Sequence, residues 1–237
     1  MTGFSLIIPV HNEAPILEAN ASGLDRYLSS IKELDYEIIL ACNGCVDASV
    51  DIAGRLEGEN PRIRRLIIEG RGLGTAIKAA SQGARHEMLM FYAIDLPFGV
   101  DVIGESIKAS LAKGRAVVIG SKGHRDSVVE RALSRTLFSG VISFLNNLLF
   151  GLGVKDTQGS ILFFKEPITR YGKYMDNPGA FFQAQILIYS RKCGYELVEI
   201  PVRLKEEMRK TRFSLAGDGW RYMKALFRER MKLLGVK

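Results

Sequence analysis

Apolar runs and amphipathic stretches alternate along the first half of the chain. Residues 4–10 form a short apolar run, the pattern of a buried strand. Residues 14–34 have helical spacing, with Leu17, Leu24, Tyr27, Leu28 and Ile31 on one side. The alternation continues with a strand over 36–41, a helix over 47–56, a strand over 64–68, a helix over 75–84 and a strand over 87–93. Strand and helix at this interval predict parallel βαβ units with right-handed crossovers. Beyond them, 100–113 reads as a helix and 115–120 as another buried strand. Residues 160–164 and 196–202 read as strands, with 182–192 helical between them. The expected fold class is α/β, a mostly parallel central sheet flanked by helices, and the length allows one large domain or two small ones. No repeat, low-complexity tract or long linker interrupts the chain.

One segment departs from this rhythm. Residues 136–154 carry no charge and are bracketed by Arg135 and Lys155. Nineteen uncharged residues reach the length of a membrane span. Ser139, Ser143, Asn146, Asn147 and three glycines oppose that reading. A helix lying against the core or along a bilayer surface fits better.

Charge changes the picture at the C-terminus. The chain of 237 residues has a net charge of +7, and its 47% hydrophobic and 25% charged residues mark it as globular rather than disordered. Residues 203–237 hold eleven Lys and Arg against four Asp and Glu, while 1–202 hold 22 of each. The whole excess therefore belongs to a basic C-terminal extension. Phe213, Trp220, Tyr222, Leu226, Phe227, Met231, Leu233 and Leu234 are interleaved with that charge. The mixture predicts an amphipathic helix at an anionic membrane surface. A solvated helix face is the plainer alternative. No nucleic-acid-binding motif accompanies the charge, so no nucleic-acid partner is expected.

The three cysteines are too few for a disulfide framework and point to a reducing compartment. Met1 leads almost directly into a strand, with no signal-peptide pattern. Cys42 and Cys45 form a C-x-x-C, which zinc would need to supplement with a second ligand pair. A redox pair is open, but two small residues in a tight loop fit the context better.

The candidate chemistry centres on residues 89–99, an apolar run that stops at Asp95 and is followed by Pro97 and Gly99. Ligands of open α/β sheets bind where parallel strands end. A turn-capping aspartate is the plainer reading. Gly70, Gly72 and Gly74 precede a helix and leave room for close backbone approach near a helix N-terminus, which favours anions. An ordinary strand-to-helix turn would look the same.

Eight segments in order resemble the family 2 glycosyltransferases, and within them the dolichyl-phosphate mannose synthase-like branch. They are residues 8–13 (IPVHNE), 43–47 (NGCVD), 72–78 (GLGTAIK), 93–95 (AID), 120–122 (GSK), 156–159 (DTQG) and 194–202 (GYELVEIPV), followed by Arg209 and Ser214. The resemblance covers nearly the whole chain. It implies one Rossmann-like GT-A-type domain over 1–202, with a nucleotide-binding half over about 1–120, an acceptor half over about 121–202, and the helical extension 203–237 behind them.

The resemblance also implies site residues. Pro9, Asn12, Glu13, Asn43, Asp47, Gly72, Gly74 and Lys78 would bind the nucleotide-sugar donor. Asp95 would hold Mg²⁺ or Mn²⁺ and, through it, the diphosphate, the metal acting as a Lewis acid on the leaving group. Lys122, Gln158, Arg203 and Ser214 would bind substrate, with Arg131, Asp156 and Arg209 alongside Asp95 in catalysis. Arg125 and Arg135 lie in the same basic stretch. The implied acceptor is a polyprenyl phosphate on the cytoplasmic membrane face, reached as a peripheral protein or with a membrane-anchored partner. A phosphate monoester, with its second pKa near ~6, needs no general base. A hydroxyl acceptor would need one, and Asp156 is then the first candidate.

The chain departs from the family pattern at four places. Ala93 stands where the first Asp of Asp-x-Asp belongs, and Pro97 where Gln is frequent. Cys42 and Asn43 replace acidic residues of the second motif, and Lys122 replaces an Arg, losing bidentate phosphate contact. A weakened metal site follows, and a nucleotide-sugar-binding subunit without catalysis is the alternative from another functional class.

Overall fold

The computed structural model describes residues 1–129, 133–204 and 217–235. In chain order the elements are β1 (Thr2–Val10), α1 (Ala14–Ser30), β2 (Leu34–Asn43), α2 (Ser49–Glu59), β3 (Ile63–Ile68), α3 (Leu73–Gly83), β4 (Met88–Phe91), α4 (Asp101–Ala112) and β5 (Val117–Ser121). They continue with β6 (Val128–Val129), α5 (Leu133–Phe150), β7 (Ser160–Phe164), α6 (Glu166–Tyr171), α7 (Phe181–Lys192), β8 (Leu197–Pro201), β9 (Arg203–Leu204) and α8 (Gly217–Gly235).

Seven strands form one sheet in the order β3-β2-β1-β4-β7-β5-β8. Every pairing is parallel except those of β7, which runs antiparallel to both β4 and β5. The expected mostly parallel α/β sheet is therefore present. The apolar run of β7 predicted a strand but carried no sign of its direction. Reversal brings the start of β7, and the loop before it, to the edge where the parallel strands end.

The strands read as continuous apolar runs because helices cover both faces. Phe4, Leu6, Ile7 and Ile8 of β1 and Val117 to Ile119 of β5 are fully buried. Pro9 is tolerated because β4 leaves β1 after the Ile7–Phe91 pair. Its ring nitrogen has the parity of Ile7, whose carbonyl faces β4, so no ladder bond is lost.

α1 buries Leu17, Ala21, Leu24 and Leu28, one stripe at helical spacing. It stops at Ser30, short of the expected Leu34. Glu33 turns the chain at φ 59°, and Leu34 already pairs with Thr2. The apolar spacing of Ile31 and Leu34 continued the helical period by coincidence.

α7 is buried from Phe181 through Ser190, because α8 covers the side that the sheet and α6 leave open. α8 turns Tyr222, Ala225, Leu226 and Glu229 inward. Glu229 is a buried carboxylate held by Gln185 Nε2 at 2.8 Å and the Tyr189 hydroxyl at 2.7 Å. The interleaved aromatic and aliphatic residues of the C-terminal segment are thus divided. Tyr222 and Leu226 belong to the core, whereas Trp220, Phe227, Met231 and Leu234 face outward. Phe213 lies outside the described residues. Among the described residues no helix is long and apolar enough to cross a membrane.

Candidate active site

The carboxyl ends of β1, β2, β4, β5 and β8 and the start of β7 share one edge. The turn after β1 and the loop after β4 are neighbours there, because β1 and β4 pair side by side although the chain visits β2 and β3 between them. That crevice is the switch point of an open sheet.

On the β1–β2 side the polar residues are knitted to one another. Asn12 adopts φ 56°, and its Oδ1 accepts the Val46 N–H at 2.8 Å. Ser49 Oγ accepts the Glu13 N–H at 2.9 Å. Asp47 accepts the N–H groups of Ala14 and Ser49 at 3.1 and 3.0 Å. Burial works to raise the Asp47 pKa, but the hydrogen bonds from Ser49 and the Ala14 N–H outweigh it and hold the carboxyl below its ordinary value.

Asn43 differs from its expected role. It is buried, and its Nδ2 donates to the carbonyls of Val10 (2.8 Å) and Ala41 (3.3 Å). Its Oδ1 accepts the Gly72 N–H at 3.1 Å. With both amide hydrogens engaged, Asn43 ties three loops together and does not present its amide to a base or ribose.

The glycines also require correction. Gly72 and Gly74 are buried, and a Cβ on Gly74 would run into the Asn177 carbonyl and Phe182 Cβ. The Gly74 N–H donates to the Pro178 carbonyl at 2.8 Å. These glycines admit the backbone of 177–179, which occupies the approach to the α3 N-terminus that a phosphate was expected to take. Lys78 is likewise engaged, its Nζ bonding the carbonyls of Gly172 at 2.6 Å and Met175 at 3.0 Å. It lines a groove of about 550 Å³ with Lys165. The Lys165 N–H bonds the Glu87 carbonyl beside the start of β4, at the amino end of the sheet and away from Asp95.

Asp95 and Ala93 are both exposed just beyond β4. The loop carrying them is shaped by Tyr92, whose buried hydroxyl accepts the Phe98 N–H at 2.8 Å and donates to the Gly99 carbonyl at 2.9 Å. Burial raises the Tyr92 pKa, so the phenol stays protonated.

Next to this loop lies Lys122, at the end of β5. Its Nζ is 2.7 Å from Asp156 Oδ2, 3.2 Å from the Gln158 carbonyl and 5.5 Å from the Phe98 ring centroid. Asp156 Oδ2 also accepts the Lys122 N–H, and Oδ1 accepts the Gln158 N–H at 2.8 Å. Glu199 Oε1 accepts the N–H groups of Lys155 and Asp156 at 2.9 and 3.1 Å. Asp156 is buried with both oxygens engaged, which disfavours it as a general base. Gln158 contributes its carbonyl here rather than its side chain. Arg203 is exposed on β9, which pairs with β6. Arg131, Arg209 and Ser214 lie outside the described residues, as does the side chain of Arg135.

Ser49, Tyr92, Glu199 and Tyr222 were not singled out for a site role by sequence. The Tyr222 hydroxyl, from α8, accepts from Asn146 Nδ2 at 3.1 Å and lies 3.5 Å from Thr157 Oγ1. Serines, tyrosines and glutamates in apolar runs give no sequence signal of which loop they will hold. Cys42 and Cys45 are free thiols around the tight turn at Gly44 (φ 57°). Burial pushes the Cys42 thiol up to about 12, so it is no ready nucleophile.

Among the described residues no group of three or more His, Cys, Asp or Glu gathers as a metal cage. A single exposed carboxylate still suits Mg²⁺ or Mn²⁺, since such ions are held by one or two carboxylates together with substrate phosphates. Asp95 fits that donor set.

An open, mostly parallel α/β sheet with its polar loops at one carboxyl edge is a fold of the GT-A type. The profile of glycosyl transferase family 2 matches residues 5–183, and the chain belongs to that family. Glycosyltransferase AglD of Haloferax volcanii is 27% identical over 201 residues, covering 84% of this chain and 32% of the relative. Dolichyl-phosphate beta-glucosyltransferase ALG5C of Trichomonas vaginalis is 26% identical over 215 residues, covering 85% of this chain and 64% of that protein. The chain thus spans about a third of the first relative and just under two thirds of the second. Human dolichyl-phosphate beta-glucosyltransferase is 25% identical over 222 residues, 85% of this chain and 67% of its own length. Among solved structures, glucosyl-3-phosphoglycerate synthase from Mycobacterium tuberculosis in complex with UDP aligns at TM-score 0.69 and 12% identity, over 97% of this chain and 80% of the other. At that identity the likeness is one of fold.

Proposed function

We propose that the chain transfers a hexose, with inversion, from a nucleotide sugar to a polyprenyl phosphate such as dolichyl phosphate. The observation that carries the reading is Asp95, exposed beyond β4 beside the turn after β1, on the loop whose Phe98 ring lies 5.5 Å from the Lys122 ammonium. The names of the dolichyl-phosphate beta-glucosyltransferase relatives support the acceptor class and glucose as the sugar, and UDP-glucose is the first donor to test, ahead of GDP-mannose.

Asp95 is the residue that would hold Mg²⁺ or Mn²⁺ through the donor diphosphate. Bound there, the metal supplies charge neutralisation of the leaving nucleoside diphosphate. An acceptor phosphate oxygen attacks the anomeric carbon as the bond to the diphosphate oxygen breaks. The acceptor is mostly dianionic at neutral pH, since its second pKa is near ~6, and it brings no proton that must be removed. The engaged oxygens of Asp156 agree with a reaction that needs no protein base. Arg131 and Arg209, together with Arg203 and Ser214, are proposed to hold the acceptor phosphate.

The outward faces of α8 and α5 support a peripheral position at the cytoplasmic face of an anionic membrane. Trp220, Phe227, Met231 and Leu234 on α8 and Val141, Phe144 and Leu148 on α5 are all more than half exposed. Arg221, Lys224 and Arg230 stand among them on α8.

Calorimetric titration with UDP-glucose, UDP-GlcNAc and GDP-mannose, with and without Mn²⁺, tests the reading, followed by transfer assays with polyprenyl phosphate. Metal-dependent binding of one donor with transfer supports it. Binding without transfer to lipid phosphate or to a glycan acceptor would favour the non-catalytic subunit that Ala93 suggests.

A further inference from the structure

We propose that Tyr92 is the positioning residue for Asp95, fixing the conformation of the loop that carries it. The inference rests on the reading of Asp95 as the carboxylate on the diphosphate side. Tyr92 follows β4 directly and is almost fully buried. Its two hydrogen bonds, from the Phe98 N–H at 2.8 Å and to the Gly99 carbonyl at 2.9 Å, span the loop from its first residues to its last. Its ring stacks on that of Phe98, with centroids 6.3 Å apart and planes at 27°.

This loop needs external restraint. Leu96, next to Asp95, adopts φ 49°, a left-handed conformation that a branched apolar residue rarely takes. Gly99 follows at φ 74°. Two turn bonds close the loop on itself, Leu96 N–H to the Ala93 carbonyl and Gly99 N–H to the Leu96 carbonyl. Strained residues persist where surrounding structure over-determines them, and such places gather at functional sites. Asn20 and Tyr92 supply such restraint here. Asn20 of α1 donates to the Ile94 carbonyl at 2.7 Å, on the near side of Asp95. Tyr92 holds the far side through Phe98 and Gly99. The ring that Tyr92 fixes also underlies Lys122, whose Nζ lies 5.5 Å from the Phe98 centroid. One hydroxyl therefore sets Asp95 and the ring beneath the Lys122–Asp156 pair together.

Tyr92→Phe keeps the packed ring and removes both hydrogen bonds. A loop that samples other conformations binds with an affinity reduced by its competent fraction. Tyr36→Phe is the control. The Tyr36 hydroxyl is also largely withdrawn from water and bonds the Asp25 carbonyl at 3.1 Å and Oδ1 at 2.7 Å, joining α1 to β2 away from Asp95. Both variants should lower the melting temperature modestly. Tyr92→Phe alone should weaken Mn²⁺–UDP binding, by roughly tenfold, and speed hydrogen exchange at the Phe98 amide. Equal affinity in wild type and Tyr92→Phe, or an equal loss in Tyr36→Phe, would overturn the proposal. If wild type binds neither Mn²⁺–UDP nor Mn²⁺–GDP, the reading of Asp95 fails. The Phe98 amide then still decides whether Tyr92 fixes the loop: unchanged protection in Tyr92→Phe refutes it.

Discussion

Lys122 and Asp156 form an ion pair with a 2.7 Å contact, and their side chains are only 14% and 6% exposed. The pair joins the end of β5 to the loop that leads into β7. It can form there only because β7 runs antiparallel and so begins at the edge where β5 ends. The end of β5 and the loop before β7 are thereby held together beside Phe98, on the loop that carries Asp95.

Breaking a buried pair by removing one partner leaves the other charge uncompensated, which costs about 3–5 kcal/mol. Asp156→Asn should therefore lower stability by that order in urea titrations, and transfer should fall with it. Restoring a neutral pair with Lys122→Gln in the same chain should recover part of the stability but not the activity. Recovery of both would mean that the ammonium serves packing alone.

Asp95 makes the opposite prediction. It is exposed, so Asp95→Ala should leave the melting temperature within a few degrees. Transfer should drop by at least about a hundredfold, the scale on which charge stabilisation at a reacting centre is lost, and metal-dependent donor binding should weaken with it. Ala93 is exposed two residues earlier, and Ala93→Asp should tighten Mn²⁺ binding in the presence of UDP. Transfer assays and calorimetry on the two variants check both statements, and unchanged metal affinity in Ala93→Asp would mean that position 93 faces elsewhere.

The sheet and its helices were legible because their apolar periods are intact, as at Leu17, Ala21, Leu24 and Leu28. The site was legible only as an address. Asp95, Asn12, Asp47 and Lys122 fall at the carboxyl edge because strand ends are visible in sequence. What each does there depends on contacts between distant segments. Asn43 looks like a ligand for a base, yet its amide meets Val10 and Gly72, from two other loops. Gly74 looks like a phosphate loop, yet it makes way for a segment about a hundred residues away. Two-residue strands such as β6 and β9 are too short to carry a period at all.

Gly74→Ala tests the packing role directly. The added Cβ would meet the Asn177 carbonyl and Phe182 Cβ, which belong to backbone and buried core. Overpacking of this kind typically costs about 1–3 kcal/mol. The melting temperature should fall clearly, whereas an alanine at an open phosphate-binding loop would have weakened nucleotide binding with little loss of stability. Thermal melts beside UDP titrations separate the two.

Asp47 gives a pH dependence with a defined sign. Its folded pKa lies below the ordinary value, near ~3.9 in an unfolded chain. Its contribution is therefore present above ~3.9 and is lost as pH falls through the lower folded value. Asp47→Asn should be less stable than wild type at neutral pH, and the difference should close as the medium is acidified below pH ~4. Urea midpoints measured over that range would contradict this if the gap stayed constant or widened towards acid.

The outward faces of α5 and α8 give the final prediction. The apolar residues on α8 recur at Trp220, Phe227, Met231 and Leu234, a single stripe, while Tyr222 and Leu226 anchor the same helix to the core. Because the inner face is already packed, docking on a bilayer requires no unfolding of α8. Near an anionic leaflet each Lys or Arg contributes about 1 kcal/mol, and that attraction is screened within about 10 Å at moderate salt. Apolar insertion is not screened. Wild type should therefore co-sediment with vesicles containing phosphatidylserine more than with pure phosphatidylcholine, and salt should weaken but not abolish binding. Replacing Arg221, Lys224 and Arg230 by Gln should remove the lipid preference. Replacing Phe227 and Met231 by Ser should remove the part that survives salt, with little change in melting temperature, since both side chains are exposed. Binding indifferent to lipid charge and to both sets of substitutions would rule this face out as the docking surface and turn attention to a soluble acceptor.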